Sequence, residues 1–305
     1  VKASTHRYES LLLPRLATGV GLGETIQQML TIATEISARQ RRAATVTTMF
    51  CGMPAGGAAV ALLVRFAGAD LPWRNVFLIG GALPILLTPI VFFLLPETRP
   101  QPAANADRSV GRALFGEGRG MGTLLLWLVF VLTLLVLYVM LNWLPTLVIA
   151  KGLSPAVGSE ASLAFNLTSI AGALLLGFAV DRMGFRWPVT LTYVTLAATM
   201  LVLATATGVG PVLVLSAVAG FMVLGAQYSL YAIAPSLYPP QVRAAGSGAA
   251  VGVGRLGSIA GPLIAGQLRE AGFSAGQVFG AMMPFVLAAG AAALALSYLS
   301  KPHEG

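Results

Sequence analysis

Apolar residues run through this chain in nine long stretches, separated by shorter segments rich in Pro, Gly and Arg. The stretches cover residues 11–36, 45–68, 74–95, 122–149, 160–180, 188–208, 211–238, 246–268 and 274–298. Each approaches or exceeds the ~20 residues that an α-helix needs to cross the hydrocarbon of a bilayer. Lipid admits only helices or closed barrels, and runs of this length are too long for barrel strands. The pattern therefore predicts an all-α membrane protein with nine transmembrane helices. Most breaks are short, such as "SARQRRAA", "KGLSPAVGS" and "REAGFS". One is long, about 96–121, carries both signs of charge, and is the one candidate for a domain linker.

Composition agrees with burial in lipid. Hydrophobic residues make up 56% of the 305 and charged residues only 10%, against roughly 25% charged in a soluble domain. The net charge of +8 does not point to nucleic acid, because the basic residues sit in loops between apolar runs. Arg39, Arg41, Arg42, Arg99, Arg108, Arg112, Arg119, Arg182, Arg186, Arg243 and Lys301 fall on one side of the predicted membrane. Lys2, Arg7, Arg65, Arg74, Lys151 and Arg269 fall on the other. The richer side is read as cytoplasmic, which places the C-terminus inside. Trp73, Trp127, Trp143 and Trp187 lie near predicted span ends, as interfacial aromatics do. The single Cys51 cannot form an internal disulfide, and His6 and His303 stand near opposite ends of the chain, so neither a metal cluster nor a Ser/His/Asp set is expected. Without a nucleophile–base set or a Walker motif, an enzyme or a directly ATP-driven pump is not expected.

An internal repeat supports a transporter architecture. Arg42-Ala43-Ala44 matches Arg243-Ala244-Ala245, and at the same offset Gly19 matches Gly220 and Gly56 matches Gly257. Carried back to the start of the second half near residue 122, this offset predicts three further helices ahead of Val1. That makes twelve helices, six and six about the long break. The expected domains are 1–95, three helices of an N-terminal six-helix bundle; 96–121, a cytoplasmic linker; and 122–305, a C-terminal six-helix bundle. The chain alone is then not expected to transport.

Particular motifs carry a resemblance to a known family. "GFAVDRMGFR" (177–186) resembles the loop signature G-x-x-x-D-R-x-G-x-R of the major facilitator superfamily, in its second-half copy. "RLATGVGLG" (15–23) resembles the fourth-helix signature R-x-x-x-G-x-G, and "LLPET" (94–98) the end of the sixth helix. Within the superfamily, "LNWLPTLV" (141–148) and the run from Leu230 to Leu268 are similar to the aromatic acid:proton symporters, the phenylpropionate and hydroxyaromatic acid branch most of all. One departure is "ETIQQML" (24–30), where that family has a Pro-Asn pair. The resemblance implies a bundle with alternating access, a small aromatic carboxylate as substrate, the proton as coupling ion with no other cofactor, and a monomer in a bacterial inner membrane.

Several residues are candidates for the chemistry. Arg255 lies inside "GAAVGVGRLGSIAGPLIAG" (248–266). A charge there is expensive enough to imply either a substrate carboxylate or a structural partner. Gly252, Gly254 and Gly257 leave room beside it for a helix or a ligand. Glu24, Gln28, Thr31 and Glu35 share one face of the first run, and Glu24 is the candidate proton carrier. Arg15 is assigned to proton coupling by the resemblance, with snorkelling to the interface as the alternative. Glu35 with Arg42, and Asp181 with Arg182 and Arg186, read as gating or structural ion pairs. Tyr138 and Asn142, and Gln227 and Tyr231, stand one helical turn apart on shared faces; with Asn166 they are candidate contacts to an aromatic ligand. Each could equally serve packing, and Cys51 is read as packing. The functional expectation is proton-coupled uptake of aromatic carboxylates. The alternatives are a transporter of sugars, other organic anions or drugs, and, from another class, a membrane sensor or binding protein that does not transport.

Overall fold

The computed structural model describes residues 18–19, 48–67, 73–94, 110–116, 118–238 and 243–299. Every regular element among them is helical. In chain order these are α1 (Gly52–Ala67), α2 (Trp73–Leu94), α3 (Val110–Phe115), α4 (Gly120–Ala150), α5 (Pro155–Met183), α6 (Arg186–Thr205), α7 (Val209–Ile233), a 3₁₀ turn (Ala234–Leu237), α8 (Arg243–Glu270) and α9 (Ala275–Leu299). Six of them, α4 to α9, have segments long and apolar enough to cross a membrane, and two shorter apolar helices cover Thr48–Leu63 and Leu78–Leu94. The first predicted run, 11–36, lies almost wholly outside the described residues. The all-α membrane fold expected from the apolar runs is the fold observed.

Two features differ from the sequence pattern. The 211–238 run is not one α-helix: α7 stops at Ile233 and Ala234–Leu237 tightens into a 3₁₀ turn. Pro235 has no N–H to give to an α-helical ladder, which favours ending it there. The long break also contains structure. Its short α3 docks on the start of α4, where the Thr123 hydroxyl donates to Leu114 O at 2.8 Å and Phe115 meets Trp127 edge to face.

Other helix ends follow their local sequence. Ser154 caps α5 by accepting from the Val157 N–H, with Pro155 at the first helical position. Ser274 and Gln277 form a reciprocal capping box at α9.

The chain divides into two compact units, Val1–Met49 with Leu62–Pro102, and Phe50–Ala61 with Ala103–Gly305. In the first, residues 78–94 of α2 are exposed throughout, including Phe92, Phe93 and Leu94. The second holds α4–α9 together with the start of α1. Its main seams join α5 to α7, α4 to α8, α6 to α9 and α4 to α9.

Glycine makes the closest seams possible. A Cβ on Gly257 would stand 1.9 Å from Val131 O of α4, and one on Gly220 would stand 2.1 Å from Phe165 O of α5. Association in lipid depends on close packing rather than on the hydrophobic effect, so small residues belong at such crossings. Polar links add to this. The Thr133 and Tyr193 hydroxyls join α4 to α6 at 2.6 Å. Lys151, just past α4, donates to Ala204 O and Ala206 O at the end of α6.

Candidate functional site

Helices α4, α7 and α8 bring polar groups together inside the second unit. Arg255 projects from the middle of α8 and is half-buried. Its Nη1 donates to the Tyr138 hydroxyl of α4 at 2.9 Å. Among the described residues, no carboxylate forms an ion pair with Arg255. A guanidinium has five N–H donors, and this bond uses one. The Tyr138 oxygen accepts here, which leaves its own O–H as a donor. The pair therefore offers several donors to an anion while keeping its positive charge.

The glycines beside Arg255 divide between two roles. Gly254 and Gly257 close on Phe130, Leu134 and Val131 of α4, so they serve packing. Gly252 alone of the three has open space where a Cβ would stand.

An aromatic wall adjoins the pair. The Tyr231 ring of α7 stacks on Phe50 with centroids 5.3 Å apart and planes within 5°, and meets Phe130 of α4 at 5.5 Å and 65°. Tyr231 is also within electrostatic reach of Arg255 and Tyr138. Tyr228 packs on both Phe50 and Tyr231, and its hydroxyl donates to Phe50 O at 3.1 Å. Offset and tilted ring pairs of this kind contribute roughly 0.5–1.5 kcal/mol beyond their buried area.

The predicted residues thus separate into groups. Arg255, Tyr138, Tyr231 and Gln227 are brought together, with Gln227 one turn before Tyr231 and almost wholly enclosed. Asn142 is exposed, and its amide donates back to Tyr138 O of its own helix at 2.8 Å. Asn166 is buried against Gly57 of α1 and donates to Ser162 O. Arg182 lies over the Phe178 ring at 4.4 Å. Arg186 lies over Tyr298 at 4.3 Å and donates to its hydroxyl. Asp181 belongs to the last part of α5, but its side chain lies outside the described residues, as do Arg15, Glu24, Glu35 and Arg42.

The sequence pattern missed Phe50, Phe130 and Tyr228. Phe130 is one apolar residue among many in its run, and Phe50 is joined to Tyr231 only by the fold. Tyr228, next to Gln227, carried the one available signal, a polar aromatic beside a polar residue in an apolar run.

Comparison with known proteins follows the same line. The Major Facilitator Superfamily pattern matches residues 3–262 and, separately, 150–305. The chain is 38% identical over 292 residues to the 3-(3-hydroxy-phenyl)propionate transporter of Escherichia coli (strain K12), covering 95% of this chain and 72% of that protein. It is 31% identical to the gallate transporter of Pseudomonas putida, over 97% of this chain and 72% of that one. It is 30% identical to the 4-hydroxybenzoate transporter PcaK of Pseudomonas putida, over 90% and 69%. Among solved structures, a bacterial homolog of the human lysosomal transporter Spinster, in an inward-facing and unoccupied conformation, superposes with a TM-score of 0.71 at 16% identity, covering 98% of this chain and 80% of that one.

Proposed function

The chain belongs to the Major Facilitator Superfamily, and on that footing we propose that it carries aromatic carboxylates across the membrane together with protons. It is a multi-pass membrane transporter and not an enzyme. The observation that carries the reading is the pair formed by Arg255 and Tyr138, a guanidinium inside an apolar helix that bonds to a phenol and has no ion-pair partner among the described residues. A carboxylate would supply that charge, and the planar fork of arginine suits its two oxygens. The Tyr231 ring, partly exposed and backed by the buried rings of Phe50 and Phe130, supplies an apolar surface for the rest of an aromatic acid. The names of the relatives support the same class, since hydroxyphenylpropionate, gallate and 4-hydroxybenzoate are all small aromatic acids.

Proton coupling is assigned to Glu24 with Arg15, and the proton is the one coupling ion in this reading, with no further cofactor. The protein acts as a monomer in a bacterial inner membrane with its C-terminus in the cytoplasm. Asp181, Arg182 and Arg186, and Glu35 with Arg42, serve as gates at the cytoplasmic face.

Competition binding to the purified chain in nanodiscs tests the substrate class. Labelled phenylpropanoate should be displaced by other aromatic carboxylates and not by glucose or citrate. Displacement by a sugar at similar concentration would favour a sugar carrier instead. In liposomes carrying the full-length protein, uptake should follow an imposed pH gradient and collapse with a protonophore. Binding without any gradient-driven flux would favour a sensor.

A further inference from the structure

Most polar side chains within the spans of the second unit are satisfied locally. The Thr192, Ser216 and Ser229 hydroxyls donate to carbonyls one turn back, on Pro188, Val212 and Gly225. The Asn166 amide does the same through Ser162 O. Gln227 departs from this rule. It is 1% exposed, and neither its Nε2 nor its Oε1 reaches a hydrogen-bond partner among the described residues. The Tyr231 hydroxyl, one turn on, interacts with the amide, but the contact falls short of hydrogen-bond geometry.

A buried amide left in this state opposes folding, and such groups in native proteins call for an explanation. Its position supplies one. Gln227 stands on the face of α7 that carries Tyr231, and Tyr231 in turn stacks in the aromatic wall and senses both Arg255 and Tyr138. The amide is therefore the second polar element of the cluster, contributed by a different helix from the guanidinium. It combines an acceptor and two donors. A phenolic hydroxyl combines a donor and an acceptor and matches it, whereas an unsubstituted ring edge does not.

We propose that Gln227 reads a hydroxyl group on the ring of the substrate, so that the site prefers hydroxylated aromatic carboxylates to their unsubstituted parents. This rests on the aromatic-carboxylate reading and adds to it a division of labour. Arg255 and Tyr138 hold the carboxylate, and Gln227 discriminates at the ring. Insertion of the hydroxyl satisfies an amide that is otherwise orphaned, so the parent acid is disfavoured by what it leaves unpaired.

The test compares 3-phenylpropanoate with its ring-hydroxylated counterpart, by direct binding to the purified chain in nanodiscs. Wild type should prefer the hydroxylated acid by about tenfold or more, the range expected for a satisfied against an unsatisfied buried group. Gln227→Met, which keeps the length and removes the amide, should bring the two affinities together by weakening the hydroxylated acid. Arg255→Ala should weaken both acids in parallel. A preference that survives Gln227→Met overturns the proposal, as does an equal loss for both acids in that variant. If wild type binds neither acid, the aromatic-carboxylate reading fails first and this inference falls with it.

Thermal unfolding without ligand gives an independent check. Gln227→Met should melt at or above the wild-type temperature, because it removes a buried amide that lacks a partner. A lower melting temperature would mean that the amide is held within the structure, by protein or by trapped water, and that its role is architectural.

Discussion

Helix α8 turns two faces to its neighbours, and their chemistry is opposite. On one, Gly257 and Gly261 let the α4 backbone approach until an added Cβ would collide with Val131 O or Leu135 O, and Gly254 closes on the Leu134 and Phe130 side chains. On the adjacent face Arg255 meets α4 through a single hydrogen bond from its side chain to a phenol, and keeps donors to spare. One helix thus provides a rigid seam and an adaptable polar centre a few residues apart. The seam fixes where Arg255 stands, while the centre is left incompletely satisfied. Real sites often show this division, with local costs at the functional residues and tight packing around them.

Substitutions can break each half of the comparison separately. The largest effect is expected at the seam. Gly257→Ala forces a Cβ against α4 backbone that cannot swing aside, and should destabilise the bundle by about 1–3 kcal/mol as overpacking does. Thermal unfolding in detergent would register the loss. Gly252→Ala, where an added Cβ would meet nothing within 4 Å, should melt no lower than wild type, and a comparable loss there would undo the distinction between the faces.

The next effect belongs to the centre. Tyr138→Phe removes the oxygen that holds the guanidinium and should weaken carboxylate binding about tenfold, in the range of a hydrogen bond to a charged group, with little change in melting temperature. A large stability loss without a binding loss would mark Tyr138 as part of the seam.

Smaller again is Thr133→Val, which strands the buried Tyr193 hydroxyl across α4 and α6. It should cost about 1 kcal/mol of stability and leave binding alone. Smallest is Asn142→Ala. Its amide is turned onto its own helix and exposed, so aromatic acid affinity should stay within about twofold of wild type, the scatter typical of surface changes.

The helices were legible because lipid demands long apolar runs. The 122–149 and 274–298 runs correspond to α4 (Gly120–Ala150) and α9 (Ala275–Leu299) with shifts of one or two residues. The larger misfits have local causes. The 160–180 run grew to Pro155–Met183 because Ser154 and Pro155 can start a helix without being apolar. The 211–238 run was cut short at Ile233, just ahead of Pro235.

The candidate site was legible only in part. Arg255 announces itself, since a charge in a glycine-rich apolar run has few bland explanations. Its partner Tyr138 is 117 residues away in the chain, and no spacing rule joins them. Asn142 shares a helix face with Tyr138, but periodicity cannot reveal that its amide bonds to its own backbone. Nor can it reveal that Gln227 is orphaned, because satisfaction depends on the geometry of neighbouring helices. The glycines on α8 were visible as small residues, yet their assignment to packing at Gly254 and Gly257 and to open space at Gly252 required the fold.

The most direct test of the central claim measures binding of phenylpropanoate and of its neutral amide to wild type and to Arg255→Ala, in nanodiscs at one pH and ionic strength. If Arg255 receives the carboxylate, the substitution weakens the acid by about tenfold to a hundredfold, as expected for loss of a buried charge-assisted pair, and changes the amide little. Equal losses for acid and amide would contradict the account, and would mean that Arg255 holds the helices together without reading the anion.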